Sequence, residues 1–383
     1  MNAGVYIHIP FCRSRCSYCD FATGMYQSEI AETYVGAICL EICGWREDGQ
    51  PATIDTIYFG GGTPSLLSTK QIERILDTVK DRFELIEAPE ITLEINPGDG
   101  GVDTESRCAT MRAWRSLGIN RASFGAQTFD DRELKLLGRT HDSADVRKTF
   151  ALLREAGFVN INFDLIAGLP GQTMAGWKRN LDEALKLRPE HLSLYLLDVH
   201  EGTPLADQIY RGMRPKPDDD LAAEMYATMI ETVCAAGYEH YEISNFCLPG
   251  FESRHNTKYW TGDPYYGFGN SAHSYDGARR RWANERDAAK YVEIVKNNES
   301  AIVDRTTLSE EESRSESIFL GLRLLKGIDL QTYESRFGRN LRQEYNGELD
   351  RLRAAGLIEI DERLLRLTTR GALLSNEVFA ALA

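Results

Sequence analysis

From its start to about Leu197 the chain alternates short β-branched runs with longer segments of helical apolar spacing, a rhythm that predicts a parallel sheet with helical crossovers. Six strands are expected, at residues 5–9, 54–59, 91–96, 119–124, 161–166 and 192–197. The helices between them carry start and stop signals: Ser68 stands before Ile72, Ile75, Leu76 and Val79, and Ser143 before Val146, Phe150 and Leu153, with Gly157 closing. Six βα units are too few for a closed eight-stranded barrel. The pattern therefore predicts an α/β fold, an incomplete (β/α)6 barrel, with its chemistry in the loops at the strand C-termini.

After Asp218 the rhythm breaks into a helix at 221–235, a short strand at 241–244, and a glycine- and aromatic-rich stretch to Trp282 with no clear period. Helical spacing returns over 308–325 and 329–355. A hairpin is expected over 357–367, turning at Asp361 and Glu362, and these elements together outline a small winged-helix-like α+β domain. The expected division is a barrel at 1–245, a connecting region at 246–305 and a C-terminal domain at 306–383. No internal repeat or low-complexity tract stands out.

A chain of 383 residues suits a large domain plus a smaller one, since single cores stop growing near ~250 to 300 residues. The net charge of -14 repels nucleic-acid phosphates unless basic residues are gathered in a patch. Within the C-terminal outline, residues 308–316 carry four Glu against one Arg, which favours packing or partner docking over DNA binding. Residues 1–10 have no Lys or Arg ahead of their short apolar stretch, and no apolar run approaches the ~18 residues of a membrane span, so a cytoplasmic location is expected. In such a reducing compartment, eight cysteines read as ligands, catalytic thiols or core fillers.

Their clustering separates these roles. Cys12, Cys16 and Cys19 stand at C-x3-C-x2-C spacing on the loop after the first strand, close enough to grip one [4Fe-4S] cluster and to leave one iron open for a further ligand. Arg13 and Arg15 beside them favour thiolates. A zinc site with His8 as fourth ligand is the rival chemistry, although no second paired set follows. Cys39, Cys43, Cys108, Cys234 and Cys247 are read as small hydrophobes in the core.

C-x3-C-x2-C after a first strand resembles the radical S-adenosylmethionine superfamily, and Gly60-Gly61-Gly62-Thr63-Pro64 resembles its methionine-binding glycine loop. The match narrows with Tyr6, Gly62, Thr63, Glu94 in Leu-Glu-Ile-Asn-Pro, Gln127 in Ser-Phe-Gly-Ala-Gln, Arg139, and Asp164 in Asp-Leu-Ile-Ala-Gly-Leu-Pro-Gly-Gln-Thr. These are similar to the oxygen-independent coproporphyrinogen III oxidase family over nearly the whole chain. The resemblance implies S-adenosylmethionine as cofactor, held by those residues. Physically, Glu94 suits its amino group, Gln127 and Asp164 its ribose, and Arg139 a carboxylate in bidentate fashion. A lone triple glycine is a turn and a lone strand-end Asp is an N-cap; their recurrence at successive strand ends is what points to one pocket.

Within that family, the oxidases carry a further Cys two positions after the third cluster Cys, where this chain has Phe21. With eleven residues ahead of Cys12, a lead shorter than the oxidases' is expected, and with it no decarboxylase activity. His255-Asn256-Thr257-Lys258-Tyr259-Trp260 instead resembles the H-N-x-x-Y-W signature of the family's heme chaperones, the HemW type. That likeness implies heme bound at His255, Asn256, Tyr259 and Trp260, and delivery to heme-requiring respiratory proteins, with transient contact where acceptors are membrane-bound. Taken from the residues alone, an imidazole beside Tyr and Trp suits heme, and a single His among aromatics equally suits a hydrogen-bonded packing residue. His273, in Gly267-Phe268-Gly269-Asn270-Ser271-Ala272-His273, is the second candidate ligand. The rival functions are an oxidative decarboxylase of coproporphyrinogen III and a radical enzyme that opens heme. Homodimerisation, and whether the chain turns S-adenosylmethionine over at all, are left open by these residues.

Overall fold

A computed structural model describes residues 2–45, 52–98 and 103–382. Six parallel strands stand side by side in chain order: β1 (Ala3–Ile9), β2 (Thr53–Gly61), β3 (Glu84–Ile95), β4 (Arg121–Gln127), β5 (Ile161–Ala167) and β6 (His191–Leu196). This is the expected incomplete barrel. Residues of one parity, among them Val5, Ile7, Ile57, Phe59, Leu93, Phe124, Phe163 and Leu194, are buried in the main apolar core. The alternate positions carry buried polar groups, including Thr56, Thr92, Arg121, Ser123, Asn162 and Ser193. Period-two alternation thus gives the sheet an apolar face and a polar face.

The helices start where side-chain caps satisfy their first backbone N–H groups. Ser68 forms a reciprocal capping box with Gln71 ahead of Thr69–Arg82. For Ser143–Glu155 the cap is Asp142, one residue earlier than the expected Ser143. Gly157 has φ +90°, the left-handed turn that a glycine permits at a helix end.

The stretch without a readable period is not a linker. Tyr265–Phe268 pairs in parallel with β1, and His273–Tyr275, Arg280–Asn284 and Ile302–Thr307 follow as antiparallel strands. At the far edge Asn245–Cys247 pairs with β6 and Glu239–Glu242 with Asn245–Cys247, so that among the described residues the main sheet has twelve strands. These added strands run three to six residues, too short for alternation to show. The C-terminal part has the expected hairpin, Ile358–Ile360 with Leu364–Leu367, paired further to Ile328–Asp329. Its predicted helix over 329–355 is broken into Leu330–Phe337, Leu341–Glu344 and Asn346–Ala354, because Gly338 takes the left-handed conformation (φ +64°) and ends the first piece. No described helix is long and apolar enough to cross a membrane.

Candidate cluster and cofactor site

At the C-terminal ends of the strands, Cys12, Cys16, Cys19, Gly62, Glu94, Gln127, Arg139 and Asp164 line one cavity of about 160 Å³. The cysteine loop is tied down beside it. Ser17 donates its backbone N–H to the Leu137 carbonyl (2.9 Å) and its hydroxyl to the Leu136 carbonyl (3.0 Å), and Leu205 N–H donates to the Ser17 carbonyl (2.8 Å). All three thiols are partly exposed and in no disulfide. Two already receive donors: Thr63 Oγ1 lies 3.7 Å from Cys12 Sγ, and Arg139 Nη1 lies 3.3 Å from Cys16 Sγ. Burial pushes the Cys12 and Cys19 thiols up, opposed at Cys12 by the Thr63 hydroxyl. A bound metal reverses that balance, since a coordinating thiol is deprotonated outright. Donors aimed at sulfur in front of a cavity therefore fit an iron-sulfur cluster. The zinc alternative fits less well: His8 is held between the Tyr6 hydroxyl (Nδ1, 3.2 Å) and the Ala22 carbonyl (Nε2, 3.4 Å). Among the described residues no three Cys, His, Asp or Glu converge on a single ion, whereas a cluster places a separate iron under each thiolate.

Glu94 is the partly buried carboxylate of the mouth. It accepts from the Tyr58 hydroxyl (2.8 Å) and from Gly61 N–H (3.2 Å), and burial, more than the nearby Asp164, raises its pKa to about 7. Gly61 has φ +108°, and a Cβ there would come within 2.6 Å of the His8 ring, so only glycine can present this amide. Asp164 accepts from Asn162 Nδ2 (2.7 Å), and its pKa is raised by burial. Gln127, the last residue of β4, sits at φ +64° and lines the cavity.

Three expected roles change. The amides of Gly62 and Thr63 donate to the Ile9 and Phe11 carbonyls (2.8 and 2.7 Å), so this loop brings its backbone close without offering those N–H groups to a ligand. Arg139 donates to Cys16, to Asn96 Oδ1 (2.8 Å) and to the Gly125 carbonyl (2.9 Å), so besides lining the cavity it braces the cluster loop. Tyr6 is not among the residues lining the cavity; its ring is 6.1 Å from that of Tyr58. Asn96, missed from the sequence, joins Thr63 Oγ1 (2.7 Å) to Arg139, and its position after β3 in an Asn-Pro pair was the available signal.

The His255 motif lies at the other end of the strands. It forms the helix Arg254–Thr261, capped by Ser253, whose N-terminal amides at Arg254 and His255 donate to Glu90 (3.1 and 2.9 Å). Lys258 Nζ reaches Asp55 (2.8 Å) and the Asn2 carbonyl (2.8 Å). His255 is 1% exposed. Its Nδ1 is 2.8 Å from Thr56 Oγ1 and its Nε2 3.0 Å from the Tyr259 hydroxyl, and burial lowers its pKa to about 3. The expectation that His255 ligates heme is at odds with this geometry, because both ring nitrogens are in use and solvent does not reach them. Asn256 is tied to the Ser253 cap and Tyr259 packs edge-on against Tyr265. Trp260, with Arg323 4.3 Å above its ring, lines a separate cavity against the C-terminal domain. His273 is exposed, on the strand that follows Tyr265–Phe268, near enough to His8 to depress the latter's pKa slightly after burial has done most of it. Of the cysteines read as core fillers, Cys108 and Cys247 are buried, Cys39 is partly so, and Cys43 and Cys234 are exposed.

An incomplete parallel barrel with three thiols at its mouth and a partly buried carboxylate at the next strand ends defines a radical SAM protein. Residues 6–184 match the Radical SAM superfamily and residues 308–374 the HemN C-terminal domain. The fold is shared with coproporphyrinogen III oxidase (HemN) from Escherichia coli, a radical SAM enzyme, at a TM-score of 0.84 and 23% identity, covering 100% of this chain and 90% of that one. The heme chaperone HemW of Bacillus subtilis (strain 168) is 36% identical over 98% of both chains, and that of Lactococcus lactis 35% identical over 98% of this chain and 95% of its own. The chain belongs to the HemW family of the radical SAM superfamily.

Proposed function

We propose that this protein is a heme chaperone that takes up heme and passes it to heme-requiring respiratory proteins, with a [4Fe-4S] cluster on Cys12, Cys16 and Cys19 and S-adenosylmethionine beside it. The full-length likeness to curated heme chaperones carries this reading. Such a cluster supplies an open iron and an electron. Around it the chain's own groups have separable tasks: Glu94 receives the cofactor's amino group, Asp164 and Gln127 face its ribose, and Arg139 with Thr63 stabilises thiolate sulfur. Phe21, 62% exposed on the cavity wall two positions after Cys19, gives a planar macrocycle an apolar surface where the oxidases resembled carry a thiol.

For heme itself the favoured ligand is His273, whose imidazole solvent reaches without rearrangement; ligation by His255 would first break its bonds to Thr56 and Tyr259. A heme titration of anaerobically prepared protein tests this, run beside an assay for protoporphyrinogen formation. The expected result is heme uptake, lost in His273→Ala, with no decarboxylation of coproporphyrinogen III. Uptake lost only in His255→Ala moves the ligand and leaves the chaperone reading standing. Protoporphyrinogen formed at enzymic rates replaces it with the oxidase.

A further inference from the structure

The His255 helix and the mouth of the barrel are far apart in sequence, yet one column of rings joins them. Tyr6, Tyr58 and His255 stand side by side among the strands, with ring centroids of Tyr58 and His255 5.2 Å apart at 29° and those of Tyr6 and Tyr58 6.1 Å apart at 23°. Below, His255 is pinned by Thr56, Tyr259 and, through its backbone, Glu90. Above, the Tyr58 hydroxyl donates to Glu94 Oε1 at 2.8 Å. There is no slack in the packing: a Cβ on Gly4 would come within 3.1 Å of the His255 ring, and one on Gly60 within 2.9 Å of the Tyr58 ring and 3.0 Å of the Tyr6 ring.

We propose that His255 and Tyr58 are positioning residues for S-adenosylmethionine: His255 fixes the Tyr58 ring, and the Tyr58 hydroxyl fixes the Glu94 carboxylate that receives the cofactor's amino group. The reason is geometric. A partly buried carboxylate has more than one rotamer, and of its two oxygens Oε2 is already directed by Gly61 N–H at 3.2 Å. The Tyr58 hydroxyl holds the other, so the lone pairs left over face the cavity in one arrangement. A tyrosine can do this only if its own ring cannot tilt, and the flat neutral imidazole against it, fastened at both nitrogens, prevents the tilt. The motif helix, none of whose residues lines the cavity, then acts on the cofactor through two side chains.

The inference rests on the reading of the mouth as an S-adenosylmethionine site, so the test compares two ligands. S-adenosylmethionine and 5′-methylthioadenosine share the adenosine and the sulfur, and only the first has the amino acid end. Their affinities are measured by calorimetry on cluster-reconstituted wild type, Tyr58→Phe and His255→Ala, with iron content recorded for each. Tyr58→Phe keeps the ring and its stack and removes only the hydroxyl. It should weaken S-adenosylmethionine roughly tenfold, as expected for one hydrogen bond to a charged group, and change methylthioadenosine less than about twofold. His255→Ala should weaken S-adenosylmethionine as selectively; should that variant fail to fold, Tyr58→Phe still decides. Unchanged binding of both ligands in Tyr58→Phe, or an equal loss of both, overturns the positioning role. A wild-type protein that does not prefer S-adenosylmethionine overturns the cofactor reading itself.

Discussion

The two ends of the strands carry similar chemistry and treat it in opposite ways. At the mouth, Cys12, Cys16 and Cys19 are partly open, and the side chains around them aim donors at sulfur while Glu94 and Asp164 keep acceptor capacity toward a cavity. At the base, His255, Lys258 and Glu90 are buried and matched to one another's neighbours, donor to acceptor. A metal-ligating residue type is therefore a weak guide to a site. What distinguishes the mouth is that its acceptors and thiols face a cavity that a ligand can enter, whereas the ring nitrogens of His255 face Thr56 and Tyr259.

The strongest way to break this comparison is at the thiols. Cys12→Ala, Cys16→Ala or Cys19→Ala should abolish the brown iron-sulfur absorbance after anaerobic reconstitution, while Cys108→Ala and Cys234→Ala retain it; zinc as the metal found, with iron and sulfide restoring nothing, would end the cluster assignment.

The base should answer in stability and not in metal. His255→Ala removes a buried ring and strands the Thr56 and Tyr259 hydroxyls, so urea denaturation should show a loss of about 2 to 4 kcal/mol. His273→Ala, on the surface, should cost less than about 0.5 kcal/mol. Equal effects of the two substitutions would remove the contrast between a plug and an open imidazole.

Glu94→Ala sharpens the picture of the mouth. Loss of a charge-assisted hydrogen bond should weaken S-adenosylmethionine by about 1.5 to 3 kcal/mol with the iron content unchanged, and calorimetry showing wild-type affinity would take Glu94 out of the site.

The smallest expected effect is the pH response of that affinity. Burial raises the Glu94 pKa from 4.5 to about 7, so above 7 the group is the carboxylate that an ammonium needs, and below it carries a proton that must leave on binding. Affinity should fall as pH drops from 8 to 6, by at most about tenfold per unit, or ~1.4 kcal/mol. In Glu94→Gln this dependence should disappear; a profile that persists there belongs to another group.

Spacing along the chain was enough for the barrel and for most of the mouth. The six parallel β-strands announce themselves through runs such as Ile161–Ala167, and parallel strands put their C-termini on one side, so residues following successive strands must meet. Cys12, Gly62, Glu94 and Gln127 were placed on one cavity in this way, because each lies at or just beyond a strand end, whereas Asp164 lines the same cavity from the middle of β5. The strands between Tyr265 and Thr307 were not, being too short to show a period and rich in glycine and arginine.

Nor could any local pattern settle what Arg139 and His255 do. Their partners come from elsewhere in the chain: Arg139 meets Cys16 across 123 residues, and His255 meets Thr56 across 199. A guanidinium is a ligand clamp or a brace, and an imidazole a metal ligand or a packing group, according to whether neighbours have already used its hydrogen-bonding capacity. That is decided when strands distant in sequence close around the side chain, which is why a motif could be read from the order of residues and its availability only from their arrangement in space.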